Sequence, residues 1–537
     1  MPSLLKSARM QPDFAVVDGD DDPNEQYAAE DGWEFASVSG QQIGIRTSAL
    51  EEKCTAIEML LCYARELGSG FGPYAVETLD LVMPLFNFYF HEGVRFASAA
   101  VVPHCLAALV GNVDSATSVA VFGRVVDAYL KAMIGESDDM TFVSQLFMTF
   151  SECLMVAGPG CLNGDQQQRV YQVMVELFEK VLASINSRNG NKSAAAAQGQ
   201  GQGQGGNEDE EADVDVEVDD EMVLAENEAM DSISKCIRTI VKLHPGFVPY
   251  IDSLFPYFMQ FSNDSTGYGL QWSLCVYDDL IEMMGPLSFK YAPSTFFPIF
   301  STGISAIPTS PDVAQACLYG VGLMAQYGGQ EYYPAIVSQF LPAIKSILLH
   351  HLSQKKAPAA NVEDEEGYIF AIENATSSLL KIVLNLHDYL VSSNISVPDL
   401  LLLWFNSMPI LQDDEEATLN YQFLLSLLTS SSSSPSSPSP SSLSFTSQIA
   451  SKYPLASLLS LIPNNPTPAA IDSLVHLSTM VVDSLVLDFL PRDLGSQLLA
   501  GLNSFISSYS SSQDVKSQVW SRIPLDKQLS LHKLGYI

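Results

Sequence analysis

TLDLVMPLFNFYFHEGVRFASAAVVPHCLAALVG, Thr78 to Gly111, decides how this chain folds. Leu79, Val82, Met83, Phe86 and Phe90 recur at helical spacing and make one apolar stripe. His91-Glu92-Gly93 breaks it, and Val94, Ala97, Val101 and Cys105 make a second stripe, flanked by Phe96, Ala100 and Pro103. The stretch predicts two helices joined by a very short turn. Ala97, Ala99 and Ala100 allow close helix approach, and Pro84 and Pro103 are expected to kink their helices. Neither helix could stand alone. Each large apolar side chain gains roughly 1.5–3 kcal/mol on burial, while each ordered backbone unit costs about 1–2 kcal/mol. The pair needs neighbours on both sides, which is the signature of a repeat array.

The pattern resembles a HEAT repeat. Met83-Pro84-Leu85 stands for the core of that family's first helix, and Glu92-Gly93-Val94-Arg95, followed by small residues, for the start of its second. The expected fold is all-α, a HEAT-repeat α-solenoid of the armadillo-like superhelical kind. Residues 1–45 read as an acidic, largely irregular segment, with HEAT repeats over 46–188. Thr47 to Leu67 is a helix with no partner before it, so the chain is expected to be the back part of a longer array. Pairs follow at Phe71–Phe90 with Gly93–Val110 and at Ser115–Ile134 with Asp138–Ala157. A third opens at Asp165–Ser187 and resumes at Asp219–Leu243. Between its helices, residues 189–218 form a flexible Gly/Gln-rich and acidic insertion that ends in EDEEADVDVEVDD. Repeats continue over 219–428, a Ser/Pro-rich linker spans 429–442, and weaker helical repeats fill 443–537. Ser434, Ser437 and Ser439 each precede Pro and are candidate phosphorylation sites. Strand signals are scarce.

The chain has 537 residues, 47% hydrophobic and 16% charged, too many for one ordinary core but suited to an array in which each unit meets only its neighbours. Its formal charge of −36 would repel phosphate backbones, which argues against direct nucleic-acid binding, and would attract basic proteins. It also keeps a large apolar array soluble. The eight cysteines form no CxxC pair and read as reduced core residues of an intracellular protein. MPSLLKSARM lacks the apolar region of a signal peptide, and no run of about eighteen uncharged apolar residues is found, so no membrane insertion is expected.

No GxxxxGK[ST], HExxH or GxSxG pattern occurs. Gly68-Ser-Gly70-Phe-Gly72 reads as a helix stop. Asp18, Asp20 and Asp22 are spaced like a calcium loop, but Pro23 stands where that loop needs Gly. Neither catalytic, metal nor cofactor residues are expected, and the chain reads as a non-enzyme. Candidate partner-binding residues are of two kinds. Asp278, Asp279 and Glu282, with Trp272 nearby, suit a Lys- or Arg-bearing ligand on a concave face, or else make a solvated acidic face around a core Trp272. Glu208, Asp209, Glu210, Glu211, Asp213 and Asp215 form an acidic arm for basic partners, or else a tolerated surface insertion.

Several segments together resemble the importin-beta-like karyopherins, of the importin subunit beta-3 type. They are Asp31-Gly32-Trp33-Glu34-Phe35, Leu50-Glu51-Glu52-Lys53, Phe88 to Arg95, Gly160-Cys161-Leu162, Gln271-Trp272 with Asp278 to Glu282, Ser288 to Ala292, and Tyr319-Gly320-Val321-Gly322 with Met324 to Gly329. The order matches from about residue 1 to about residue 425, and the chain looks like the family's C-terminal half. The resemblance implies a nuclear transport receptor shuttling between cytoplasm and nucleus through the pore. Its implied partners are basic cargo proteins with nuclear localisation signals, Ran-GTP and Phe-Gly nucleoporins. The alternative is a HEAT-repeat scaffold or regulatory subunit not involved in transport.

Overall fold

The computed structural model describes residues 1–11, 14–18, 33–38, 41–136, 139–198, 209–263, 268–354, 365–430, 445–461, 467–487, 490–509 and 513–535. The calcium-like Asp20 and Asp22, Glu208 and the Ser/Pro tract 431–442 lie outside them. The chain divides into two compact units, Met1–Trp272 and Ser273–Ile537.

The first unit opens with helix α1 (Pro2–Ala8) and three strands, β1 (Phe14–Asp18), β2 (Trp33–Val38) and β3 (Gln41–Arg46). They form an antiparallel sheet in the order β1-β3-β2, with Phe14 opposite Ile45 and Trp33 opposite Arg46. This departs from the irregular segment expected over 1–45. Runs of five or six residues rich in Val, Ile, Phe and Trp suit strands, but they are interspersed with acidic residues that dominate the composition. Helix α2 (Thr47–Leu67) follows β3 directly and stops at Gly68, whose φ of +50° suits a residue without Cβ. It does have a neighbour before it. The buried Lys53 Nζ donates to Ala8 O at 2.5 Å and Met10 O at 3.1 Å, closing off the C-terminal end of α1 where helix carbonyls lack partners.

The deciding stretch folds as helix α3 (Gly72–Val82), a 3₁₀ turn (Met83–Asn87) and helix α4 (Glu92–Leu109). Pro84 has no N–H to give, so the α-helix tightens into the 3₁₀ turn there instead of merely kinking. Leu79, Val82 and Phe86 are buried as the stripe predicts, but Phe90 lies past the turn and is 51% exposed. The second stripe, Val94, Ala97, Val101 and Cys105, is buried throughout, and His91 Nδ1 accepts from Val94 N to cap α4. Then come α5 (Ser115–Gly135), α6 (Met140–Ala157), α7 (Gly164–Gln198), α8 (Asp209–Leu243), α9 (Val248–Phe261) and α10 (Tyr268–Met284), within which the first unit ends. The helices α7 and α8 run further into the 189–218 stretch than the sequence suggests.

Arg95 joins the first pair to the second. Its Nε donates to Phe86 O at 3.1 Å, and its guanidinium pairs with Glu136 and, at 3.1 Å, with Asp139. The rings of Phe142 and Tyr89 lie 3.9 and 4.8 Å from it. Asp139 also caps α6, accepting from Phe142 N at 2.8 Å. On the exposed side, ion pairs link Arg9 to Glu77, Arg124 to Asp80 and Arg169 to Asp127. Each bridges neighbouring parts of the array and contributes about 0–1 kcal/mol.

The second unit continues with α11 (Phe297–Ser305), α12 (Pro311–Tyr327), α13 (Leu341–Gln354), α14 (Glu365–Asn385), α15 (His387–Ser392), α16 (Val397–Ser407) and α17 (Asp414–Ser430). It closes with α18 (Phe445–Lys452), α19 (Leu455–Leu458), α20 (Pro468–Val486), α21 (Arg492–Tyr509), α22 (Gln513–Ser521) and α23 (Leu525–Leu534). Three helical segments, Met140–Ala157, Gln330–Gln354 and Pro468–Val486, are long and apolar enough to cross a membrane by length and composition. Each carries one or two charged residues, among them Glu152, Lys345 and Asp472, so none is an uncharged apolar run. In the structure Met140–Ala157 buries Phe142, Leu146, Phe147 and Phe150 among its neighbours. Five of the cysteines are buried, Cys161 is half-buried, and Cys62 and Cys275 are exposed, so those two are not core residues.

Replacing Arg95 strands Glu136 without its guanidinium in a buried site. Arg95→Ala is expected to cost about 3–5 kcal/mol, read as a lowered urea midpoint for the first unit.

Candidate partner-binding site

The candidate residues around α10 divide between the two units. In the first, Trp272 is 2% exposed. Its Nε1 donates to Met230 O at 2.8 Å, and the rings of Phe178, Phe258 and Phe261 surround it at 5.1–5.8 Å. It is a core residue, so the expectation that it offers surface to a ligand is corrected. An indole buries a large apolar area and needs one acceptor for its N–H, and both are found here inside the array.

In the second unit, Asp278 is also buried, and its Oδ1 has no hydrogen-bond partner. Burial, and then the neighbouring Asp279, push its carboxyl well above the usual range, with Lys381 pulling weakly the other way. Asp278 faces Gly320 of α12: a methyl group there would overlap Asp278 Oδ1 and the ring edge of Phe300. Two residues on, a methyl at Gly322 would lie 2.6 Å from Ser378 Oγ and 2.9 Å from Lys381 Cδ. The Tyr319-Gly320-Val321-Gly322 stretch is therefore a close-packing seam. Asp279 and Glu282 stay half-buried at the surface. The half-buried Tyr319 has its hydroxyl pushed up by burial, then by Glu416, Asp278, Glu282 and Glu415. Asp278 itself, buried and with its pKa raised, favours the neutral acid and offers no surface charge to a ligand.

Beneath it runs a polar seam that sequence reasoning missed. Residues 371–384 of α14 are all buried, including Glu373, Asn374, Ser377, Ser378 and Lys381. Lys381 Nζ lies 2.6 Å from Glu416 Oε1 and 4.9 Å from the centre of the Tyr319 ring. Ser377 Oγ donates to the other Glu416 oxygen, Asn420 Nδ2 donates to Ser377 Oγ at 2.8 Å, and Trp404 Nε1 donates to Asn420 Oδ1 at 2.8 Å. Glu373 accepts from the backbone N–H groups of Leu411, Gln412 and Asp413, while burial raises its pKa. The available signal was the polar run from Glu373 to Ser378 in a helix with no clean stripe. Of the acidic arm, the backbones of Asp209, Glu210, Glu211, Asp213 and Asp215 lie in the first turns of α8, and Glu208 falls outside the described residues. Among the described residues, no three His, Cys, Asp or Glu side chains are grouped to hold a metal ion.

The family model described as Importin repeat 6 matches residues 142–264. The chain is 26% identical over 443 residues to importin subunit beta-3 of Saccharomyces cerevisiae, covering 80% of this chain and 36% of that protein. The chain is thus similar to importins. It is also 23% identical over 402 residues to a probable importin-5 homolog of Dictyostelium discoideum, covering 73% of this chain and 34% of that one. The resemblance to the importin subunit beta-3 type read from the sequence thus stands, and importins are not enzymes. The chain spans little more than a third of the length of these curated relatives. Among solved structures, Kap121p bound to RanGTP superposes with a TM-score of 0.67 at 19% identity, covering 100% of this chain and 42% of that chain. Kap121p bound to Pho4p gives 0.64 at 20%, covering 99% and 41%. These likenesses carry the fold, a HEAT-repeat helical array.

Asp278 is more readily protonated folded than unfolded. Its contribution is whole below the unfolded carboxyl pKa and is lost as pH rises through its higher folded value. Asp278→Asn is therefore expected to melt above the wild type at pH 8, with the gap narrowing towards pH 4. A gap that does not change with pH would show that Asp278 is not the titrating group.

Proposed function

We propose that the chain is part of a nuclear transport receptor, an importin that carries basic cargo proteins through the nuclear pore under control of the Ran GTPase. The observation that carries this reading is the 443-residue match to importin subunit beta-3. A stack of helix pairs offers a long surface, and a formal charge of −36 suits passengers with basic nuclear localisation signals. Ran-GTP and Phe-Gly nucleoporins are the other partners, and the protein shuttles between cytoplasm and nucleus.

On this reading Asp279 and Glu282 contribute to a basic-ligand surface around Tyr319, and the acidic stretch from Glu208 to Asp215 acts as a second, more loosely placed attractor. Asp278 and Trp272, both buried, take no part in ligand contact.

Two measurements test it. Immobilised Phe-Gly repeat peptide and Ran loaded with GTP are expected to retain the chain, and Ran loaded with GDP to retain less. A chain that binds neither is a HEAT scaffold or regulatory subunit outside transport. Deleting residues 207–221 is expected to weaken binding of a basic localisation-signal peptide several-fold at low salt. The difference should vanish near 1 M salt, where the screening length is about 3 Å. Equal affinities at low salt would exclude the acidic stretch from cargo binding.

A further inference from the structure

A polar cavity of about 480 Å³ opens in the second unit where α14 ends. Asn385 is the last residue of α14 and α15 starts at His387, so the cavity sits at the carbonyl end of a 21-residue helix, which carries partial negative charge. Asn385 O accepts from the Tyr333 hydroxyl at 3.3 Å. The rings of Tyr333 and Tyr389 stand edge to face, 5.6 Å apart, and form an aromatic wall. Asp388 is on the rim with its side chain 93% exposed. His387 Nδ1 lies 2.8 Å from Asp388 Oδ1, and this bond holds the carboxyl below its ordinary range. His387 is itself fixed from behind, with Nε2 3.1 Å from the Tyr453 hydroxyl. Gln330 adds an amide to the lining, and among the described residues no Lys or Arg lines the cavity. Lys452, whose charge reaches Asp388, stands outside it.

A carboxylate, a helix C-terminus, an amide and two aromatic rings around one polar cavity suit a cation with a flat face. We infer that this pocket receives an arginine side chain from a partner polypeptide, with the guanidinium paired to Asp388 and laid against Tyr333 and Tyr389. A guanidinium fits better than an ammonium because it donates in plane to the carboxylate while its face stacks on a ring. The pocket deepens the proposed transport reading by naming one contact for a basic passenger. It rests on that reading only for what the partner is.

The test uses the full chain and three fluorescein-labelled peptides, Gly-Ser-Arg-Gly-Ser and its lysine and citrulline counterparts, followed by fluorescence anisotropy at low salt. The arginine peptide is expected to bind about tenfold more tightly than the citrulline one and about threefold more tightly than the lysine one. Asp388→Asn and Ser392→Arg, both at exposed positions, are expected to weaken the arginine peptide about fivefold while the melting temperature stays put. Arginine binding unchanged in both variants, or citrulline binding as tightly as arginine, overturns the proposal. A chain that shows the arginine preference yet retains neither Phe-Gly peptide nor Ran overturns the transport reading alone, and the reverse result overturns this pocket alone.

Discussion

A helix with apolar residues on two sides holds its place only between two neighbours, and most of this chain is made of such helices. In α4 twelve of eighteen residues are buried, from Val94 to Leu109. In α14 the burial is continuous from 371 to 384. Neither helix has a solvent side wide enough to stand as the edge of a small bundle, so each is covered by the pair before it and the pair after it. The cost of ordering so long a chain is met joint by joint, since each interface repays only the helices it covers.

The joints use different chemistry. Between the first two pairs, a guanidinium lies against two rings and balances the carboxylates of Glu136 and Asp139, so a buried cation comes with its counter-charges and its hydrogen bonds. Between α12 and α14, absent side chains do the work: Gly320 and Gly322 let Asp278, Ser378 and Lys381 approach the helix backbone. The polar seam under that contact is satisfied through Glu416, Asn420 and Trp404. Asp278 is the exception. It is buried beside a glycine with one oxygen unpartnered, and its burial is tolerable because a protonated carboxyl carries no charge to desolvate.

The stripes in the Thr78 to Gly111 stretch were legible because a period of 3.6 leaves a direct trace in the residue order. Phe90 was not, because Pro84 ends the regular helix and the period no longer applies. The sheet was obscured by acidic residues between its short strands. At the candidate site, spacing puts Asp278 and Glu282 on the same side of a helix, but spacing does not say what covers that side. Gly320, distant in sequence, decides it. Trp272 could be read either way because an indole suits a core and an interface equally. The pocket at the end of α14 left no trace, since its lining comes from two separate segments, around Gln330 and around Asp388, and forms no motif.

The exposed ion pairs Arg9–Glu77, Arg124–Asp80 and Arg169–Asp127 have a mechanical consequence. Each has about half or more of one partner's side chain in water, so dissolved ions loosen them while the oily contacts below stay as they are. The first unit should then behave like a leaf spring whose outer clips slacken with ionic strength. The glycine-sealed joint of the second unit rests on buried contacts that salt hardly reaches, and keeps its stiffness.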